Sequence, residues 1–297
     1  MRVIILFSVT LISLFFVKAQ DSGNQKDVYS HPKCSYTDED IQIAEKYFRL
    51  MESKSTQPFG DLVIETALFF RNTPYVASTL EHPQEHLVIN LRELDCTTFV
   101  ENVIALAYTI KKESVPTFEL YYSYLDSLRY RTGNVFEYTD RLHYFTDWIY
   151  ENEKKRFVHD ITGQIGGEPY SLELSFMSTH PESYPQLKEY PERINVMQSL
   201  EREISTRDVY AMIPKAKIND YGQHMRNGDV VCFVTSINGL DVTHVGFVYK
   251  KDNVLGLIHA SSAAKKVIID PKPLQAYAEN VRSTVGIMVV RPGSNLQ

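Results

Sequence analysis

The chain has 297 residues, 43% of them hydrophobic and 23% charged, with a formal net charge of −6. That is ample apolar material for a core and sets disorder and low complexity aside. A negative balance with no long basic run gives a nucleic-acid role little support.

Taken in chain order, the first segment is a targeting signal. Arg2 precedes an almost wholly apolar run, residues 3–17, and Val17-Lys18-Ala19 then offers modest and small side chains where a signal peptidase cuts. The run is shorter than the about 20 residues that span a membrane. Residues 1–19 are therefore read as a signal peptide, and residues 20–297 as one exported domain without stable membrane insertion. No cysteine follows the cut, which argues against a lipid anchor. Of the three cysteines, Cys34, Cys96 and Cys232, at most one pair can form. A Cys34–Cys232 bridge would leave Cys96 free, and the sequence does not say whether those two meet.

Thr37, with Asp40 three residues on, signals a helix start, and Ile41, Ala44, Tyr47, Phe48 and Met51 follow at helical spacing. Residues 61–70 read as a second helix, broken at Asn72-Thr73-Pro74-Tyr75. A third opens at Cys96, where Phe99, Val100, Val103, Ile104, Leu106 and Ala107 keep the helical period, and a fourth covers residues 118–129. From 131 to about 227 the chain reads as an irregular insertion, punctuated by Gly133, Gly163, Gly166-Gly167, Pro169, Pro181, Pro185 and Pro191. After Gly228 the pattern turns to short β runs at 230–234, 243–249, 254–259, 267–269 and 285–291. Asn238-Gly239 and Lys251-Asp252-Asn253 mark turns between the first three. Helices followed by an antiparallel meander argue an α+β fold.

The chemistry centres on Cys96. A thiol at a helix start has the positive end of the backbone dipole beneath it, and a nearby imidazolium further favours the thiolate. A cysteine nucleophile also needs a base, and the base an orienting partner. His244 and His259 lie on consecutive predicted strands joined by a tight turn, so that His259 can hold His244 and His244 can face Cys96. Gly246 leaves room for close backbone approach. No His-Glu-x-x-His pattern points to zinc, and no cofactor is expected.

As a set, Asp95-Cys96, Gly228-Asp229-Val230-Val231, His244-Val245-Gly246 and His259 resemble the motifs of the NlpC-type papain-like cysteine hydrolases of bacterial cell walls. Thr73-Pro74-Tyr75 resembles that family's Pro-Tyr element, although Val76-Ala77-Ser78 stands where Gly-Gly usually follows. The long Cys96-to-Gly228 interval and the block running from Arg141 to Trp148 look like the exported N-acetylmuramoyl-L-alanine amidase branch. The resemblance implies a papain-like fold, periplasmic location and peptidoglycan or muropeptide substrates. It also implies Cys96, His244 and His259 as the catalytic set, with Tyr75 near the oxyanion. Two activities are implied: cleavage between N-acetylmuramic acid and L-alanine, or alternatively within the stem peptide at a γ-D-glutamyl bond. Asp95 is read as a substrate contact or a helix cap. Arg141, His143, Tyr144 and Trp148 are read as a sugar- or carboxylate-binding wall or as a packed helix. Asp229 is read as a turn residue.

Overall fold

The structure is a computed structural model that describes residues 28–31, 34–133, 137–207 and 209–293. The segment read as a signal peptide lies outside these residues. Strands β1 (Val28–His31) and β2 (Cys34–Thr37) lead into helix α1 (Asp38–Met51), and α2 (Phe59–Phe69) follows. The expected cap is present and reciprocal: Asp40 N donates to the Thr37 hydroxyl, and Thr37 N donates to Asp40 Oδ2 at 2.8 Å. Asp40 Oδ1 accepts from Leu91 N at 2.8 Å and Arg92 Nε at 3.1 Å, which ties α1 to the chain approaching Cys96. β3 (Leu87–Val88) pairs with β2 to complete a small sheet.

Helix α3 (Cys96–Lys112) is central. Every residue from Thr98 to Ile110 is buried, so it is covered on all sides rather than amphipathic. Its polar side chains find partners inside the protein. Glu101 accepts from Arg129 Nε at 2.7 Å, where Arg129 ends α4 (Phe118–Arg129), and Asn102 accepts from Tyr121 of that helix. Glu101 is therefore half of a buried ion pair.

The insertion is more regular than its sequence suggests. It contains α5 (Phe145–Lys154), β4 (Val158–Asp160), β5 (Glu168–Pro169), α6 (Phe176–Thr179), α7 (Pro185–Glu189), α8 (Glu192–Ser205), β6 (Ala211–Pro214) and α9 (Ile218–Tyr221). Tyr138, Tyr144, Leu172, Leu174, Met177, Leu187, Met197 and Ile204 give it an apolar cluster of its own. Prolines and glycines punctuate the sequence at the joints between these short elements, which hides the helices between them.

The last third supplies β7 (Val230–Thr235), β8 (Val242–Lys251), β9 (Val254–Ser261), β10 (Lys266–Ile269), α10 (Leu274–Asn280) and β11 (Thr284–Pro292). β7 to β10 form the expected meander. β11 returns to the free side of β7, and the insertion strands extend the sheet beyond it, giving the antiparallel order β10-β9-β8-β7-β11-β6-β5 with β4 also on β11. The β8–β9 turn has φ of 51° at Asp252 and 64° at Asn253, the left-handed pair that matches strand twist. One sheet face packs on α3, with Phe99 edge-on to Phe247 at 5.6 Å. The other face packs on α10 through Phe233, Leu257, Leu274 and Ala278. The result is a mixed helical and antiparallel, α+β architecture.

The Gly228-Asp229 motif has a packing reason. Gly228 has φ +83°, and a Cβ there would lie 2.4 Å from Gly60 O at the start of α2. Asp229, buried, accepts from Arg291 Nε and Nη2 at 2.8 Å each and from Arg226 N at 2.7 Å. The motif clamps α2 and β11 to the start of β7.

Candidate active site

Asp95 is the N-cap of α3. Its carboxylate accepts from Thr98 N at 2.8 Å while the Thr98 hydroxyl accepts from Asp95 N at 2.9 Å. This sets the first turn and places Cys96 at its opening, half-buried. The Cys96 sulfur lies close enough to the backbone N–H of Val245, the residue after His244 on β8, and to Thr97 for both to favour its anion. The nucleophile candidate thus lies against the strand that carries the candidate base.

The two histidines meet. Their nearest ring nitrogens, His244 Nε2 and His259 Nδ1, are 2.6 Å apart, and the rings stand edge-on with centroids 4.8 Å apart. β8 pairs with β9 through Phe247–Ile258, so continuing that ladder sets Gly246 opposite His259 and makes His244–His259 a diagonal pair. Gly246 is required for this: a Cβ there would fall 2.9 Å from His259 Cβ and 2.8 Å from Ile258 O.

Two groups that sequence reasoning missed complete the cluster. Asp270 Oδ2 lies 3.3 Å from His259 Nε2. Tyr277, on α10, packs its ring against both imidazoles, 5.1 Å from His259 and 6.0 Å from His244. The sequence shows only that Asp270 follows the predicted 267–269 strand, and the register that brings it to His259 is a tertiary feature. β10 sets Ile268 opposite His259, and Asp270 is two positions on, toward the same face.

Tyr75 is brought to Cys96 by backbone pairing. Tyr75 N donates to Lys265 O at 2.9 Å, Val76 N donates to Leu94 O at 3.2 Å, and Leu94 N donates to Pro74 O at 3.0 Å. Burial, then the neighbouring Cys96 and Asp95, push the Tyr75 hydroxyl up to about 12, so it remains a hydrogen-bond donor at neutral pH.

The electrostatics differ from the sequence expectation of a stabilised thiolate. Burial, then the Asp95 carboxylate, push the Cys96 thiol up to about 12, outweighing the Val245 and Thr97 donors. Burial and the neighbouring His259 push His244 down to about 3. Both shifts favour an uncharged thiol and an uncharged imidazole at rest.

The block from Arg141 to Trp148 is not an open wall. Trp148 has no exposed surface and stacks on Phe145 at 4.7 Å, so it cannot stack on a sugar. Arg141 is buried, donating to Glu81 at 2.6 Å and Leu80 O at 3.1 Å and pairing with Glu85 at 3.5 Å. The Tyr144 hydroxyl donates to Glu201 at 2.6 Å, and His143 Nε2 sits 2.8 Å from Tyr138 O. Tyr144 and His143 bind the insertion internally, while Arg141 ties it to residues 80–85. All three cysteines are unpaired, and Cys34 and Cys232 are buried. A cavity of about 250 Å³ lies elsewhere, among Tyr150, Glu153, Asp160, Gln164, Tyr210 and Met288. None of the candidate residues lines it. Among the described residues no group of three or more His, Cys, Asp or Glu is placed to hold a metal ion, and no helix is long and apolar enough to cross a membrane.

Comparison with known proteins gives these features a family context. No curated protein matches the chain. A solved N-acetylmuramoyl-L-alanine amidase from Bacteroides uniformis is 36% identical, with a TM-score of 0.75, over 79% of this chain and 99% of that one. A Bacteroides fragilis structure provisionally named a xylanase is also 36% identical, with a TM-score of 0.72, over 76% and 99%. A Legionella pneumophila protein, 22% identical with a TM-score of 0.63 over 84% and 94%, shares the fold. The model of one family, AmiA-like and described as N-acetylmuramoyl-L-alanine amidase-like, matches residues 65–287, from within α2 into β11. With three quarters of its length matched and the whole Cys96–His244–His259 cluster inside that span, the chain belongs to the AmiA-like, N-acetylmuramoyl-L-alanine amidase-like family.

Proposed function

We propose that this protein is a cysteine-dependent peptidoglycan amidase that cuts the amide between N-acetylmuramic acid and the L-alanine of the stem peptide. The observation that carries the reading is the 2.6 Å His244–His259 pair on the strands that pack against the helix opened by Cys96. The family's amidase-like description and the Bacteroides uniformis amidase support the choice of bond. The papain-like class of mechanism, the exported periplasmic setting and muropeptide substrates belong to the same proposal.

The chemistry is acyl transfer with His244 as general base. As Cys96 Sγ bonds to the lactyl carbonyl carbon, the thiol proton passes to His244 and the carbonyl π electrons move to oxygen. The backbone N–H of Cys96, unpaired within the helix because it lies in the first turn, and the Tyr75 hydroxyl donate to that oxygen. Collapse breaks the C–N bond, and the leaving L-alanine amine takes the proton from His244. Water, losing a proton to His244, then hydrolyses the thioester, which frees the muramoyl carboxylate and restores the thiol. Neutral resting partners suit this order, because the proton moves only as the nucleophile attacks.

Glycosidic chemistry fits less well. It uses a pair of carboxyl groups flanking the bond, whereas Asp95 is engaged by Thr98 and Asp270 lies against His259. Digestion of muropeptides followed by mass spectrometry tests the proposal. The expected products are peptide-free sugar and a stem peptide with a free L-alanine amine, both absent with a folded Cys96→Ala variant. Undiminished release by that variant refutes the thiol mechanism. Sugar still bearing L-alanine, with a shortened peptide, identifies a stem-peptide endopeptidase instead.

A further inference from the structure

A carboxylate can only accept hydrogen bonds, and at this site that restriction propagates through two imidazoles. Asp270 Oδ2 faces His259 Nε2 at 3.3 Å, while its Oδ1 accepts from Lys272 N at 2.9 Å. His259 Nε2 therefore carries a proton, and in the neutral ring the lone pair is on Nδ1. That Nδ1 lies 2.6 Å from His244 Nε2, which must supply the proton of this bond. Neutral His244 is then left with its lone pair on Nδ1, the ring nitrogen that His259 does not engage.

We propose that Asp270 is a positioning residue that sets the direction of this relay, fixing both histidines as Nε2–H tautomers and keeping His244 Nδ1 as the basic atom for Cys96. The reverse polarity would put a proton on His244 Nδ1 and turn the base into a donor. Solvent does not make the choice, since His259 is only 1% exposed. The other neighbours of its ring cannot make it either: Tyr277 presents a ring packed edge to face at 78°, and the opposed residue 246 has no side chain. The inference rests on the reading of His244 as the base for Cys96, but the tautomers can be read without any substrate.

Long-range proton–nitrogen correlation NMR on ring-labelled histidine reports which nitrogen of each ring is protonated. The wild type is expected to show His244 and His259 both protonated at Nε2. Asp270→Asn can turn its amide NH₂ toward His259 Nε2, which reverses both tautomers. Its kcat/KM on a muropeptide is expected to fall by about three to four orders of magnitude, as expected when an orienting aspartate is replaced and the wrong tautomer results. Asp270→Ala, which imposes no polarity, is expected to lose less, and Asp270→Glu to retain the wild-type tautomers. A merely structural Asp270 would rank Ala at least as damaging as Asn. Protonation of His259 at Nδ1 in the wild type, or unchanged tautomers in a folded Asp270→Asn, overturns the proposal. Absence of muropeptide turnover in the wild type with the expected tautomers overturns the assigned reaction and leaves the relay standing.

Discussion

Gly246→Ala tests how tightly strand packing and the histidine pair are linked. The added methyl falls 2.8 Å from Ile258 O, 2.9 Å from His259 Cβ and 2.9 Å from Leu257 Cδ1. Only the Leu257 methyl can swing aside; the other two atoms belong to the frame of β9. Ordinary contact starts near 3.4 Å, so β9 must retreat by about 0.5 Å at His259. Carried into the 2.6 Å His244–His259 bond, that retreat releases the ring that Cys96 depends on. Overpacking of this kind costs about 1–3 kcal/mol. If a 1 Å misplacement lowers a rate about a hundredfold, half of that predicts a loss of about tenfold in kcat/KM. The assay is muropeptide turnover beside urea unfolding. Gly256→Ala is the control, because its Cβ would meet Tyr249 O at 2.9 Å near the far end of the same strand pair. It is expected to be destabilised comparably and to keep its activity. Wild-type activity in Gly246→Ala, or equal losses in both variants, refutes the link.

Under the proposed mechanism, Tyr75→Phe removes one donor to the oxyanion and is expected to lower kcat by about 10²–10³ with little change in KM; unchanged kcat in steady-state kinetics removes Tyr75 from the site. His244, held near 3, keeps its base form well below the ordinary imidazole value of 6.5, so the acid limb of kcat/KM should lie far below that value, and a limb at 6.5 contradicts the burial argument. The same shift has a stability sign. A base with a lowered folded pKa contributes fully above its unfolded value, and that contribution drains as pH falls from 6.5 toward 3, which urea titration across that range measures. For Cys96, raised to about 12 from 9.0, alkylation by iodoacetamide in the resting protein should still be climbing with pH above 9.0, and a plateau at neutral pH would reveal a preformed thiolate.

What the sequence made legible at the site was local in character. Cys96 announced itself because an acidic cap precedes it and a helical apolar period follows, both within one stretch. The histidines were readable because strand alternation and the Asp252-Asn253 turn place them on neighbouring strands. Even so, burial and Asp95 favour the neutral thiol, opposite in sign to the expected pull of dipole and imidazolium. Burial is a tertiary quantity, and together with the charge of the adjacent Asp95 it raises the thiol. Asp270 was hidden for the same reason, since its value depends on how β10 registers on β9.

The block around Arg141 shows the limit most clearly. An arginine among aromatic residues reads equally as a ligand wall and as an ion-pair hub, and the choice depends on partners distant in sequence. Those partners are Leu80, Glu81 and Glu85, five to ten positions past Tyr75. Arg141 therefore grips the chain that leaves Tyr75, whose other side is fixed by Lys265 and Leu94. The Arg141 cluster bears on the site by holding the Tyr75 segment in place, not by offering Trp148 or Tyr144 to a substrate. An effect of altering the buried cation on activity is therefore expected to be transmitted through the position of Tyr75.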